Sequence, residues 1–385
     1  MRILLLSPYD AMSHQYWWQG LRDNLIGHEF CVVTLTPRFF SWRFRGNSLS
    51  FAFDERVRES YDLVIATSMT DLSSLRGMCP SLCAIPTIIY FHENQFAYPD
   101  NASLADNRSA SQERLVERQV ERQITSIYTA ISADLLLFNS CFNRDTFLKG
   151  AAELLAKLPD GVPAGLVDRL RLKTAVQSVP LWQDTFAMSV TGDAGLAKKT
   201  EIRPLNIVWN HRWEYDKGLG SLASLVDTLV STTREKRVVL HIIGQSFRQV
   251  PKELQQIKAM LENHGSLGRF GFLESRQDYL ELLRDSHVVL STAIHEFQGI
   301  AVLEAMACGC IPLVPNALAY KEFVPEEYRY DTNSMAVPML LALTEAYEAG
   351  TMPAQPNLAR FSWDHQIIAW QGHLNLAMDN FSQEQ

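Results

Sequence analysis

Two carboxylates eight positions apart, Glu296 and Glu304, and two cations five apart, Arg212 and Lys217, are the residues whose types and spacing could do chemistry. If Glu296 to Glu304 were wholly helical, their Cα atoms would stand roughly 12 Å apart. That is too far to share one proton or one metal, and it suits the two ends of a long polar ligand. Gly299 lies where a helix would open, leaving N–H groups aimed at the middle of such a ligand. A sugar, a diphosphate and a ribose fit that order. Arg212 and Lys217 fall on a strand-to-helix turn, where a planar fork and a point charge would clamp the diphosphate. A plainer reading pairs Lys217 with Glu214 or Asp216 on a solvated turn, and makes Val302, Leu303 and Met306 simply a helix core face.

The elements that must position these residues follow from the hydropathy rhythm. Ile3 to Leu6, Cys31 to Leu35, Leu63 to Ala66, Thr87 to Phe91 and Leu135 to Phe138 read as buried strands. Ser111 to Ile131 carries apolar residues at helical spacing with no Gly or Pro. A second series has strands at Asn206 to Trp209, Val238 to Ile243, Val288 to Ser291 and Ile311 to Val314. Its helices are Leu219 to Val230, Lys252 to Glu262, Asp278 to Arg284 and Ile300 to Ala307. The expected organisation is α/β: two Rossmann-like doubly wound domains, 1–184 and 205–362, facing across a cleft at the carboxyl ends of their strands. A small, polar linker at 185–204 joins them, and a helix at 363–385 packs back toward the first domain.

Composition narrows the class. A chain of 385 residues that is 47% hydrophobic suits two domains with cores of their own. The apolar start breaks at Pro8, too short for a signal peptide or a membrane span, and the expected location is cytoplasmic. Six scattered cysteines match no zinc spacing and read as reduced core thiols; separately, no metal and no cofactor is expected. A net charge of −8 argues against a surface built throughout for nucleic acid and leaves room for a local basic patch. Pro37 to Gly46 is such a patch, read as a loop. Arg38, Arg43 and Arg45 stand among Phe39, Phe40, Trp42 and Phe44 with no acid, a composition that neutralises phosphate and stacks unpaired bases. The bland alternative has the aromatics filling a core. The Arg108 to Arg122 face, laced with glutamates, is a weaker candidate. Ser7 to His14 is a tight loop after the first strand and lacks the GxGxxG of a dinucleotide site.

Arg212 with Lys217, then Glu296 to Glu304 followed by Ala305-Met-Ala-Cys-Gly-Cys-Ile-Pro312, resembles the donor half of retaining GT-B glycosyltransferases of family 4. Tyr9 with Ser13-His14, Pro37 to Arg45, Tyr90-Phe-His-Glu-Asn-Gln-Phe96, Val208 to Glu214 and His295-Glu-Phe297 resemble the tRNA-queuosine alpha-mannosyltransferases. That resemblance implies GDP-mannose as donor and the cyclopentene-diol of queuosine in the anticodon of tRNA-Asp as acceptor, with no membrane and no protein partner inferred. It implies catalytic roles for Arg212 and Lys217 at the diphosphate, Glu296 at sugar hydroxyls and His92 near the reacting carbon. Glu304 would bind the ribose, and the amides of Phe297, Gln298 and Gly299 would cover sugar and phosphate. Ser13 and His14 would approach the donor, and Leu273 would meet the base through main chain. Arg38, Trp42, Arg43 and Arg45 would hold the tRNA. Retention in such enzymes goes with a front-face path, in which the departing phosphate accepts the acceptor's proton. The chain departs from family 4 at Asp10-Ala-Met12, where a Gly pair is common, and at Gln298, where an aromatic is common. The rival readings are a family-4 transferase with another donor or a small-molecule or glycan acceptor, and a tRNA-binding protein without catalysis.

Overall fold

This computed structural model describes residues 1–97, 109–186, 204–233, 237–245 and 250–384, with backbone alone at 109–116 and 384. Most of the expected linker, and Arg108 of the weaker basic face, lie outside the described residues. The chain divides into two compact units, Met1–Pro180 with Trp363–Gln385, and Leu181–Ser362.

The first unit alternates strand and helix: β1 (Arg2–Ser7), α1 (Met12–Asn24), β2 (Glu29–Thr34), α2 (Phe40–Ala52), β3 (Leu63–Thr67), α3 (Leu72–Met78), β4 (Thr87–Phe91), α4 (Ser109–Ile131), β5 (Leu135–Phe138), α5 (Cys141–Leu155), α6 (Leu166–Leu172) and β6 (Thr174–Val176). The strands form one parallel sheet in the order β2-β1-β3-β4-β5-β6. Every residue of β3, β4 and β5 is buried, as strands covered on both faces require. The order reverses at β1 and β3, so their carboxyl ends open a crevice.

Pro37 to Gly46 is a correction. The structure folds most of it into α2, where sequence reading expected a loop. Phe40, Phe44 and Phe51 recur at helical spacing, and Phe44 and Phe51 are buried. Gly46 and Asn47, which resemble loop residues, have specific uses inside the helix. A Cβ at Gly46 would lie 2.5 Å from the Trp42 ring, which crosses it. The buried Asn47 amide donates to the carbonyls of Arg43, Phe44 and Met69.

The second unit contains α7 (Gln183–Phe186), β7 (Leu205–Trp209), α8 (Leu219–Thr232), β8 (Val238–Ile243), α9 (Lys252–His264), β9 (Leu267–Gly271), α10 (Arg276–Arg284), β10 (Val288–Leu290), α11 (Ile300–Ala307), β11 (Ile311–Pro315), β12 (Arg329–Tyr330) and α12 (Asn333–Glu348). Its parallel sheet runs β12-β11-β10-β7-β8-β9. β7 pairs with β10 through Ile207 opposite Val288 and with β8 through Trp209 opposite Ile242, so the switch point lies between β7 and β10. The loops that leave there carry Arg212 with Lys217 and Glu296 with Gly299. Strands β6, β9 and β12 went unread, because each is short or broken by Gly and only partly buried. The closing α13 (Trp363–Glu384) belongs to the first unit, where Trp370 stacks on Tyr90 of β4 at 5.5 Å.

Candidate active site

In the second unit the two loops at the switch point are tied to each other by backbone. The Trp209 indole N–H donates to Thr292 Oγ1 at 3.0 Å, and that hydroxyl donates to the Lys217 carbonyl at 2.9 Å. The Asp216 carbonyl accepts the N–H groups of Ile294 and His295 at 3.0 and 3.1 Å. These bonds place a buried ammonium among acceptors. Lys217 Nζ lies 3.1 Å from Asp216 Oδ2, 3.1 Å from Glu296 Oε2 and 3.0 Å from the His295 carbonyl. The plainer reading of Lys217 holds in one respect: it pairs with Asp216, but inside a buried cluster rather than on a solvated turn. Arg212 is exposed, 3.6 Å from Glu214 and 3.6 Å from Asp216, longer than a hydrogen bond.

The charges in this cluster follow from competition between burial and neighbours. Burial pulls the Lys217 ammonium down, but Glu296 and Asp216 outweigh it and leave its pKa raised. Burial pushes Glu296 up, and Lys217, His211 and His295 overcome that to hold it at about 2. Burial, reinforced by Lys217, depresses His211 to about 3 and His295 to about 4, so both rings are neutral.

The shifts of His211, His295 and Glu296 share one sign. The unfolded chain protonates His211 and His295 near 6.5, before the folded one does, and Glu296 near 4.5 against about 2 when folded. Stability of the second unit is expected to fall as pH drops below 6.5, and more steeply below 4.5. Urea midpoints across that range check it, and a flat profile down to the lower value contradicts it.

Glu304 lies on α11, behind Gly299, whose φ of 83° begins the helix without a side-chain cap. Its carboxylate is buried and held at both oxygens. Arg276 Nη1 donates to Oε1 at 3.0 Å and Tyr279 OH to Oε2 at 3.0 Å. Asn210 Nδ2 in turn donates to Tyr279 OH at 3.0 Å and to the Ala301 carbonyl at 2.8 Å. Phe297 and Gln298 are buried before the helix, Phe297 edge-on to His295. The Leu273 side chain packs into the core under α10 and α11. Sequence reading missed Arg276, Tyr279 and Asn210. Asn210 lay within the Val208 to Glu214 stretch, and Arg276 and Tyr279, three apart on one helical face, precede or begin the helix read as starting at Asp278.

In the first unit His92 follows β4 and stacks on His14 of α1 at 4.2 Å. Both rings are buried, and His92 Nε2 has no hydrogen-bond partner among the described residues. Burial, then the neighbouring His14, depress His92 far below its ordinary value, so it is neutral. The Asn139 amide holds the His92 carbonyl at 2.8 Å. Ser13 is exposed in the first turn of α1. Asp10, at the departure from the Gly pair, is turned inward, accepting from Trp18 Nε1 at 3.0 Å and Gln15 Nε2 at 3.1 Å.

The basic aromatic stretch separates into two kinds of residue. Arg38 Nε and Arg43 Nη2 both reach Thr36 Oγ1 at 3.4 Å, and no carboxylate pairs with either among the described residues. Phe39 and Trp42 beside them are exposed, at 73% and 59%. Arg45 is instead neutralised by Asp71 Oδ2 at 2.8 Å and Glu121 Oε1 at 3.2 Å. It lines a shallow groove of about 480 Å³ with Val120, Ile124 and Tyr128 of α4, apart from the His14–His92 stack. Among the described residues no group of three His, Cys, Asp or Glu is placed to hold a metal ion, and no helix is long and apolar enough to cross a membrane.

Comparison with known proteins gives this geometry a family. Solved structures share the fold at low identity. Sucrose-phosphate synthase from Thermosynechococcus elongatus aligns with a TM-score of 0.65 at 13% identity, covering 97% of this chain and 98% of that one. HepE of Anabaena, in complex with UDP and glucose, aligns at 0.62 and 14% identity, covering 96% and 99%. The two tandem Rossmann-like units are thus those of the GT-B architecture. Residues 198–333 match the family model described as glycosyl transferases group 1. Residues 2–181 match the N-terminal model of tRNA-queuosine alpha-mannosyltransferase. A tRNA-queuosine alpha-mannosyltransferase of Drosophila melanogaster is 32% identical over 336 residues, 86% of this chain and 84% of that one. The chain belongs to the tRNA-queuosine alpha-mannosyltransferase family of glycosyltransferases.

Proposed function

We propose that this enzyme moves mannose from GDP-mannose to the cyclopentene-diol of queuosine in the anticodon of tRNA-Asp, in the cytoplasm, with retention at the anomeric carbon. The observation that carries the reading is the buried Lys217–Glu296 pair at the switch point between β7 and β10. An ammonium held there with Arg212 beside it meets the negative charge that grows on a departing diphosphate. Lys217 and Arg212 supply that positive charge from protein, and no metal is required. Glu296, ionised, accepts from sugar hydroxyls, while Glu304 accepts from the ribose. The amides of Phe297, Gln298 and Gly299 at the start of α11 cover the phosphates, where the helix dipole adds about 0.3–1 kcal/mol. The base meets main chain at Leu273.

The reaction is a front-face displacement. The bond from the anomeric carbon to the diphosphate oxygen breaks, the acceptor oxygen bonds on the same face, and the leaving oxygen takes the acceptor's proton. Neutral His92, its ring stacked on His14 and its Nε2 without a partner among the described residues, hydrogen-bonds the sugar and needs no proton exchange of its own.

Arg38 and Arg43 contact phosphates of the tRNA, and Trp42 stacks an unpaired base. Arg45, already paired, contributes less. Arg43→Ala is therefore expected to weaken tRNA binding about tenfold and to lower the salt slope by roughly one, with the KM for donor unchanged. Arg45→Ala should have a smaller effect, and filter binding across salt concentrations checks both. The function itself is tested by incubating the enzyme with GDP-mannose and queuosine-containing or queuosine-free tRNA and weighing the digested nucleosides. A hexose increment confined to queuosine is expected; equal labelling without queuosine, or none, overturns the reading.

A further inference from the structure

The geometry points to Arg276 and Tyr279 as positioning residues that fix the orientation of the Glu304 carboxylate for the two hydroxyls of the donor's ribose. This rests on Glu304 being the ribose-binding group proposed above. A buried carboxylate has about four lone-pair positions. Arg276 Nη1 takes one on Oε1 and Tyr279 OH one on Oε2, leaving one on each oxygen for a vicinal diol. A bidentate grip on two adjacent hydroxyls uses that remaining pair.

Each positioning residue is held from behind. Arg276 Nε and Nη2 form a two-bond fork with Asp184 at 2.6 and 2.8 Å, and Nη2 also reaches Thr185 Oγ1 at 3.1 Å. Asp184 and Thr185 lie in α7, and the Asp184 carbonyl is bonded by Arg284 Nη2 at 2.7 Å. Asn210 anchors the Tyr279 hydroxyl to the start of α11. The fork leaves Nη1 of Arg276 directed at Glu304 and fixes its plane. A lysine would supply the charge without that plane.

The charge environment says what Arg276 does beyond geometry. Burial outweighs the rest and leaves the Glu304 carboxyl raised above its ordinary value, while Arg276, through charge and hydrogen bond, opposes the rise. Tyr279 donates to the ionised form, while Asp184 raises it. Cys308, just past the end of α11 and pushed up to about 12 by burial, stays a neutral thiol. Among the described residues, Arg276 is the positive charge paired with Glu304; Arg284 acts on Cys308. Without Arg276, Glu304 takes up a proton at a higher pH and loses one of its two acceptor positions.

The experiment measures binding of GDP and of 2′,3′-dideoxy-GDP by calorimetry at about pH 6 and about pH 8.5, either side of neutrality. The wild type is expected to prefer GDP by at least about tenfold at both values. In Arg276→Leu the preference collapses at the lower pH and returns in part at the higher, while dideoxy-GDP binds as to wild type. Arg276→Lys recovers the pH profile more than the preference. Tyr279→Phe, which removes one hydroxyl and keeps the ring, loses a few-fold of preference and serves if the leucine variant does not fold. An Arg276→Leu protein that keeps its preference at both pH values, or weakens equally toward both nucleotides, overturns the inference. A wild type with no preference for GDP overturns the ribose reading of Glu304 itself, and the inference with it.

Discussion

Lys217→Met is expected to lower kcat by on the order of 10²–10³, the usual cost of removing one preorganised donor from developing charge. Methionine fills the ammonium's space with a flexible apolar chain, so the packing against Asp216 and His295 is largely kept and the charge alone is lost. The donor KM should change far less than kcat, because the interaction is strongest when the diphosphate is leaving. A second effect arises from the cluster itself. Glu296 and Asp216 are left facing each other without the cation that lies 3.1 Å from both, and breaking such a pair from one side costs about 3–5 kcal/mol when the partner is fully buried. Glu296 keeps 18% of its side chain exposed, so the loss should fall toward the lower figure. The double variant Lys217→Met with Glu296→Gln should regain most of that stability and none of the kcat. Steady-state kinetics and urea denaturation of the same three proteins separate the effects. A kcat within threefold of wild type in Lys217→Met would remove Lys217 from the reaction.

Much of the fold was legible because parallel strands buried on both faces are short apolar runs that stand out against amphipathic helices. The helix starts at Leu219, Lys252 and Ile300 were read at the residue where they occur. The exception, α2, shows what local reading cannot see. Gly46 is favoured in that helix by the Trp42 ring lying across it, and Asn47 by a hydrogen bond to Met69, twenty-two residues away. The second reason is tertiary, and the first, though four residues apart within the helix, depends on the direction the Trp42 ring takes.

The candidate site divides the same way. Arg212, Lys217, Glu296 and Glu304 are visible as charge in apolar surroundings, and their convergence at one sheet edge follows from strand order. Arg276 and Asp184 are invisible to such reasoning. Ninety-two positions separate them, and as isolated charges each resembles any solvated residue. What makes them part of the site is the buried oxygen of Glu304, which a sequence cannot place. The separation of Arg45 from Arg43 is likewise set by Asp71 and Glu121 on other elements.

Gly218→Ala is expected to be among the most damaging single methyl additions in the second unit. Gly218 has φ of 70° and ends the Arg212 loop as the N-terminal cap of α8. Its missing side chain faces backbone: a Cβ would lie 1.9 Å from the Thr292 carbonyl oxygen and 2.9 Å from its carbon. The contacting atoms are main chain, so no rotamer of Thr292 relieves them, and its hydroxyl, held between the Trp209 indole and the Lys217 carbonyl, resists movement of the residue as a whole. The alanine must therefore pry apart the loops that carry Lys217 and Glu296, in addition to the strain of the left-handed conformation. We expect a loss of about 3–4 kcal/mol and a fall in kcat comparable with that of Lys217→Met. Gly299 is the control, because its φ of 83° carries the same conformational cost. There the added Cβ would meet the edge of the Tyr320 ring at 2.9 Å and the Phe323 ring at 3.2 Å, side chains rather than main chain. Gly299→Ala should cost about 1–2 kcal/mol less than Gly218→Ala. Equal losses in the two variants by urea denaturation would mean that backbone conformation alone decides the outcome. A larger loss at Gly218 locates the difference in the contact with Thr292, the point at which the two active-site loops are fastened.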